Sequence, residues 1–517
     1  MARRFKHWGW GYEDQQPIAL DLSSHLGFPV RGELEAPATP RLPPVRVAVP
    51  PELAAISSAA GHDRAVHALG KSFSDVVRGL RGDFEHAPDF VARPREEADV
   101  ERVLQWCEAQ RVAVIPFGGG TSVAGGVTPA VGARWNGTVS LDTRALSALL
   151  EVDPVSRSAC IGAGACGPAL EAALAEHGLT LRHFPQSFEY STLGGWIATR
   201  AGGHFATLWT HIEDLVESVR AITPRGQWES RRLPGSGAGV SPDRMLVGSE
   251  GILGVITSAW VRVQPRPAFR ASATVLFERF LDGADAVRAI GQSGLHPANC
   301  RLIDAAEARL NLAGDGSRAL LVLGMESTDH PVDAALSRAL ELCAEHGGAR
   351  SDGTGAGGDA AGAWREMFLR MPYLRDSMVA MGVICETFET AITWERFPAF
   401  LHAVMGATRA VVTDVTGCPD AHVSCRFTHV YPDGPAPYFT VLAPGRRGEE
   451  LEQWATIKRA AADAILAGGG TITHHHAVGR DHRPWYDAQR PEPFALALRG
   501  AKAAVDPAGI LNPGVLL

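Results

Sequence analysis

The spacing of hydrophobic positions changes several times along the chain, and each change predicts a different kind of element. Asp89–Arg93 alternates as a strand does, Glu96–Gln110 repeats as an amphipathic helix, and Val112–Pro116 is a short apolar run bounded by Gly118-Gly119-Gly120. A second unit follows, with a strand at Ala159–Ile161, a helix near Pro168–His177 and a strand at Leu179–His183. Leu246–Val263 adds another glycine-containing turn and a β-rich run. From about Ala268 the texture shifts: strand-like segments such as Ala273–Phe277 and Ala319–Gly324 alternate with Ala-rich helical ones. That pattern predicts an α+β cap laid over the first unit. Before Phe90, six prolines between Ala36 and Leu53 predict an extended connector. Residues 352–362 are Gly- and Ala-rich, as in a mobile loop, and no internal repeat is visible. The expected organisation is an N-terminal arm and connector (1–84), a first α/β unit (85–267), a cap (268–445) and a C-terminal helical segment (446–517).

Composition narrows the function classes. A chain of 517 residues with 45% hydrophobic and 21% charged residues can bury a sizeable core, and a net charge of −8 argues against nucleic-acid binding. The eight cysteines are scattered without a CxxC pair, as in reduced core thiols. No apolar run approaches the ~20 residues that span a bilayer, and no apolar region of a signal peptide follows the basic start. The terminal Val-Leu-Leu is not a peroxisomal tripeptide. A cytoplasmic protein is expected, with peripheral membrane contact left open.

Two glycine motifs invite a phosphate ligand. Gly162-Ala-Gly-Ala-Cys-Gly167 matches GxGxxG between a strand and a helix, but the next strand ends Leu181-Arg182-His183 without the acid that would hold a ribose. A nicotinamide site is therefore rejected. Pro116-Phe117-Gly118-Gly119-Gly120-Thr121-Ser122 lacks the lysine of a P-loop, yet its successive N–H groups can form a nest for a pyrophosphate. The loops Gln186–Thr192, Gly194–Gly202 and Gly248–Thr257 follow in the same unit and could surround a long cofactor.

This order of loops resembles the FAD domain of the vanillyl-alcohol-oxidase-like (PCMH-type) flavoproteins. More narrowly, the chain is similar to the alkylglycerone-phosphate synthase (alkyldihydroxyacetone-phosphate synthase) family. The collinear pieces are Trp10–Asp14, the three FAD loops, Ile212–Leu215, Arg301–Asp304, Pro372–Asp376, Pro437–Phe439, His474–Gly479 and Asn512–Gly514. The resemblance implies an α+β fold, a two-part FAD-binding domain with an α+β cap. It also implies FAD lined by Pro116, Phe117, Gly118, Gly119, Gly120, Thr121 and Ser122; by Gln186, Ser187, Phe188, Glu189, Tyr190, Ser191 and Thr192; by Thr199, Arg200, Ala201 and Gly202; and by Glu250, Gly251, Ile252, Leu253, Gly254, Val255 and Ile256. The early segment His67-Ala-Leu-Gly70 resembles the branch that holds FAD non-covalently.

By the same resemblance Tyr438 is the catalytic acid/base, although an unassigned buried tyrosine is more often core. Arg375 is the substrate-phosphate ligand, although pairing with Asp376 would also explain it. His474, His475 and His476 belong to the active site. On a strand only His474 and His476 would share a face, and no third ligand is evident, so no metal is expected. Arg301 and His183 complete the set. The implied reaction exchanges the acyl group of acyl-dihydroxyacetone phosphate for a long-chain alcohol, with the flavin as a covalent electron sink, in ether lipid synthesis. A homodimer is the expected assembly. The rivals are an FAD-linked 2-hydroxyacid dehydrogenase or oxidase on the same fold, and a flavin-binding protein without turnover. Gln186, the segment Gly203–Thr210 and Thr440 depart from the animal members of the family, which bears on substrate more than on cofactor.

Overall fold

The computed structural model describes residues 8–11, 26–311, 315–351 and 360–517, with the side chains of 360–367 left aside. Tyr12–Asp14 of the arm motif and residues 352–359 of the expected mobile loop lie outside the described residues.

The first unit is built as the hydrophobic pattern predicts. Helix α1 (Phe73–Leu80) is closed by a capping box, in which Ser72 accepts from the Asp75 N–H and Asp75 accepts from Ser72. Strand β1 (Phe90–Ala92), helix α2 (Glu97–Gln110), β2 (Val112–Phe117) and β3 (Gly137–Asp142) follow. Strands β1 and β2 both run parallel to the central β3. All six residues of β3 are buried, as expected for a parallel strand covered on both faces. The second sheet is antiparallel, in the order β4 (Leu149–Asp153), β5 (Ser158–Gly162), β8 (Val255–Arg262), β6 (Val216–Thr223), β7 (Gly226–Glu229). Helices α3 (Gly167–Ala175) and α4 (Leu193–Thr199) pack on it. The strand expected at Leu179–His183 is reduced to Leu179–Thr180, because Arg182 takes a left-handed conformation that ends the pairing.

The cap is one seven-stranded antiparallel sheet. From a two-residue edge at Ala349–Arg350 it runs β9 (Phe269–Phe277), β11 (Ala319–Ser327), β10 (Asn299–Ile303), β13 (His422–Val430), β14 (Pro435–Pro444) and β12 (Val383–Glu389). Helices α5 (Phe280–Gln292), α6 (Asp333–Glu345), α7 (Ala360–Ala380), α8 (Phe397–Thr416) and α9 (Glu450–Gly468) accompany it. The N-terminal segment is more than an arm: Leu26, Phe28, Phe73, Val76 and Leu80 join the cap's apolar core. The last residues return to the first unit, where Ile510 and Leu511 sit in the core of the parallel sheet. Among the described residues no helix is long and apolar enough to cross a membrane.

Candidate functional site

A cleft of about 190 Å³ opens where the glycine loop after β2 faces the strands of the cap. The loop is narrow for a physical reason. A Cβ on Gly119 would stand 1.9 Å from the Tyr190 carbonyl oxygen, and one on Gly118 would stand 2.3 Å from Thr192 Oγ1. Gly120 has φ +66°, so each of the three positions needs glycine. Gly118–Ser122 line the cleft together with Gln186, Ser187, Ser191, Thr192, Thr199, Ala201 and Gly202. Backbone amides and small hydroxyls on one wall fit a pyrophosphate, and the indole of Trp196 adds an apolar face.

The other predicted cofactor residues support this wall from behind. Pro116 meets Gly251, and the Phe117 ring packs at a tilt on His67, 4.3 Å between centres. Phe188 lies parallel to Trp196, Glu189 accepts from the Tyr373 hydroxyl at 2.7 Å, and Tyr190 meets Trp10 edge-on at 5.2 Å. Arg200 turns outward to a bidentate pair with Glu213. Glu250 is buried and accepts from the Val478 and Gly479 N–H groups, both at 2.8 Å, and burial pushes its carboxyl up to about 7. Glu250–Ile256 thus brace the loop rather than line the cleft. The rejected GxGxxG is used for packing. A Cβ on Gly162, Gly164 or Gly167 would meet Leu146, Thr143 or Phe188 at 2.1–2.4 Å.

The cap supplies the charged side. Tyr438 is 5% exposed on β14, and in the sheet it stands between Arg426 of β13 and Glu389 of β12. The Arg426 guanidinium lies 3.8 Å from the centre of the Tyr438 ring and pairs with buried Glu307. Burial raises the Tyr438 phenol above its ordinary value, against the pull of Arg426 and a hydrogen bond with Thr387. The phenol is therefore protonated near neutrality. Arg301, on β10, is fully buried and donates to the His204 carbonyl at 3.3 Å. Burial, and then neighbouring Arg426, bring its pKa down to about 9. Arg375, on α7, gives one nitrogen to Asp376 at 3.2 Å, while its buried Nε has no hydrogen-bond partner among the described residues.

The histidine triplet departs from the strand reading. Residues 471–478 form an irregular turn folded around the buried carboxylate of Glu389. That carboxylate accepts from the N–H groups of His474 (2.5 Å), His475 (3.1 Å) and His476 (2.9 Å), and from the Thr473 hydroxyl (2.7 Å). The alternation rule fails because no strand ladder exists here, and His475 and His476 are the pair that face the cleft. His474 points away, to the Tyr431 hydroxyl at 2.8 Å. Burial holds all three imidazoles below their ordinary value, hence neutral. Burial would raise the Glu389 carboxyl, but the hydrogen bonds it accepts from the Thr473 hydroxyl and the His476 N–H help hold it below its ordinary value. His183 does not reach the cleft. It is buried against Trp196 at 5.1 Å, with neither ring nitrogen hydrogen-bonded among the described residues, and burial takes its pKa down to about 3.

Ring nitrogens of His429, His474 and His475 lie within 4.8 Å of one another, a group that could hold a metal ion. Several are already engaged: His429 Nε2 with the Gly203 carbonyl, and His474 with Tyr431 and His475. Glu389, Arg426, His429 and Lys71 were not singled out in the sequence. Arg426 carries a readable signal, since it is the one charge in the buried run Val423–Phe427.

Comparison with known proteins agrees with this construction. Residues 88–230 match an "FAD binding domain" family and residues 266–516 match "FAD linked oxidases, C-terminal domain". FAD is the cofactor of this enzyme, and the glycine-walled cleft fits its pyrophosphate. An alkyldihydroxyacetonephosphate synthase of Dictyostelium discoideum is 30% identical over 480 residues, covering 88% of this chain and 77% of that protein. One of Trypanosoma brucei brucei is 30% identical over 530 residues, covering 94% and 85%. A solved alkyldihydroxyacetonephosphate synthase superposes with TM-score 0.76 at 26% identity, covering 94% of this chain and 88% of the other. With 30% identity sustained over most of the chain and most of each relative, the protein belongs to the alkyldihydroxyacetonephosphate synthase family.

Proposed function

We propose that this protein is an FAD-dependent ether-forming enzyme. It exchanges the acyl group of acyl-dihydroxyacetone phosphate for a long-chain alcohol, without net oxidation. The observation that carries the reading is a junction. Tyr438, Arg375, Gln186 and His476 stand between the cofactor cleft and a second pocket of about 140 Å³. That pocket is lined by Leu26, Leu310, Met371, Leu374, Met378 and Leu442. Charged and hydrogen-bonding groups at the mouth of an apolar pocket suit an anionic headgroup with a long hydrocarbon tail.

Arg375 binds the phosphate, to which its Nε, without a hydrogen-bond partner among the described residues, offers a further donor. Arg301 and Arg426 keep positive charge beside the reacting carbon and offset carboxylate charge as the acyl group leaves. Tyr438, protonated and buried, donates a proton. The neutral imidazoles of His475 and His476 accept one, and the Glu389 carboxylate holds them in place. Bound FAD supplies an electron sink beside the substrate carbon. It is held without a covalent tether: both ring nitrogens of His67 are engaged, by the Asp63 carbonyl at 2.7 Å and Asp142 at 3.1 Å. The proposal includes a cytoplasmic homodimer with peripheral contact to the membrane in which the alcohol dissolves.

A 2-hydroxyacid oxidase would use Arg375 for a carboxylate but would leave the apolar pocket without an occupant. Chain length separates the two readings. Palmitoyl- and butyryl-dihydroxyacetone phosphate are compared as substrates with hexadecanol, and D-lactate is tested for flavin bleaching. A kcat/KM at least roughly tenfold higher for palmitoyl is expected from burial of the extra methylenes. Equal values, or bleaching by lactate, overturn the reading.

A further inference from the structure

His475 faces the cleft, and behind it a row of hydrogen-bonding side chains leads away from the cofactor site. His475 Nδ1 lies 3.1 Å from His474 Nδ1, and His474 Nε2 lies 2.8 Å from the Tyr431 hydroxyl. That hydroxyl is 2.9 Å from Thr210 Oγ1 and 3.4 Å from His211 Nδ1, and the latter two atoms are 3.2 Å apart. His211 is half-buried and follows Leu208 and Trp209, which are 52% and 45% exposed. We infer that His475, His474, Tyr431 and His211, with Thr210 beside them, form a proton relay that leads from the cleft to solvent at the 208–211 loop.

The polarity of the row is fixed at its outer end. His211 Nε2 faces the His474 carbonyl at 3.0 Å. A carbonyl only accepts, so Nε2 carries the hydrogen and Nδ1 is left to accept from the Tyr431 hydroxyl, directly or through Thr210. Tyr431 then accepts from His474 Nε2–H, and His474 Nδ1 accepts from His475 Nδ1–H. His475 Nε2 is the acceptor presented to the cleft. Every link therefore points the same way, from cleft to loop. The Asp214 carboxylate accepts from the His211 backbone N–H at 3.3 Å and so fixes the backbone at the outer end of the row.

The relay rests on the proposed reaction, whose balance requires an exit for protons. An ester and an alcohol give an ether, a carboxylate and one proton per turnover. The proton taken from the alcohol reaches His475 Nε2. The Nδ1 proton of His475 passes to His474, the Nε2 proton of His474 to Tyr431, and the hydroxyl proton of Tyr431 to His211 Nδ1; the Nε2 proton of His211 then leaves to solvent as its bond to the His474 carbonyl opens. No electrons move, and no other reactant is needed.

The test uses the FAD-loaded enzyme with Tyr431→Phe, His211→Asn and the double variant. Phe keeps the ring and removes only the linking oxygen. Flavin content, KM, kcat and the solvent deuterium isotope effect on kcat are measured. Each single variant is expected to lower kcat by roughly tenfold, as loss of a proton-transfer group does. Flavin content and KM should be unchanged and the isotope effect larger. The double variant should be no slower than the worse single one, because both cut the same series path. A wild-type kcat and isotope effect in Tyr431→Phe overturns the relay. A slower variant with lost flavin or an unchanged isotope effect also overturns it, by showing a structural role. The wild-type product separately tests the reaction: a 2-oxo acid in place of an ether refutes the substrate reading. The relay is then measured on that oxidation, which also releases the hydroxyl proton.

Discussion

Glu389→Gln tests how the active-site turn is held. In the wild type one carboxylate oxygen accepts from the Thr473 hydroxyl and the His476 N–H, and the other accepts from the N–H groups of His474 and His475. A glutamine keeps one accepting oxygen and turns an NH2 toward the remaining pair, so two of the four donors lose their partner. The side chain is 1% exposed, so no solvent replaces the loss. At about 1–3 kcal/mol for each buried donor left unsatisfied, the turn should be destabilised by roughly 2–6 kcal/mol. The cost is local, because the core of the cap does not depend on these bonds. The expected outcome is faster amide hydrogen exchange at residues 473–476, with flavin content and global unfolding temperature little changed. Turnover should fall by roughly 10²-fold, since a displacement of about 1 Å of catalytic imidazoles is enough for that. Wild-type amide protection in the variant, or wild-type turnover, would refute the argument that Glu389 organises the triplet.

Tyr438→Phe should leave folding and FAD intact and lower kcat by roughly 10²-fold, the usual effect of losing an acid/base group; near-wild-type turnover defeats the assignment. Acid precipitation should release all FAD to the supernatant, because His67 has no ring nitrogen to spare; a yellow pellet would contradict this. Glu250→Gln should flatten the pH dependence of stability. Folding raises the Glu250 carboxyl from 4.5 to about 7, so the folded state holds this proton more tightly. The associated stability is complete below pH 4.5 and is lost as pH rises through 7, by about 3 kcal/mol at most. An unfolding temperature that keeps the wild-type pH slope between those values would show that another group is responsible.

Much of the fold was legible because its elements are locally determined. Helix α2 and strand β2 declare themselves by period and by the glycines that follow, and the parallel strands read as apolar runs because both faces are covered. The triplet His474–His476 misled for the opposite reason. Its conformation is set by a carboxylate 85 residues away in sequence, and no local pattern announces that. The predicted strand through His183 was cut short by the left-handed Arg182, which propensity does not reveal. Glu250–Ile256 read as a cofactor loop from its glycines, whereas its contacts with Pro116 and with the Val478 and Gly479 N–H groups are tertiary and leave no local pattern. Tyr438 and Arg375 were expected at the site only through family resemblance. Their meeting at the mouth of an apolar pocket comes from strand β14 and helix α7 converging, a tertiary fact.

The central claim is that the chemistry is redox-neutral, and anaerobic turnover measures it directly. The enzyme is incubated without oxygen or any electron acceptor, with palmitoyl-dihydroxyacetone phosphate and excess hexadecanol, while the flavin spectrum is followed and ether and palmitate are quantified. The account predicts many turnovers per flavin, equal amounts of ether and palmitate, and a flavin that stays oxidised. Turnover that stops after one flavin equivalent with a bleached spectrum, and resumes only when an acceptor is added, would contradict it.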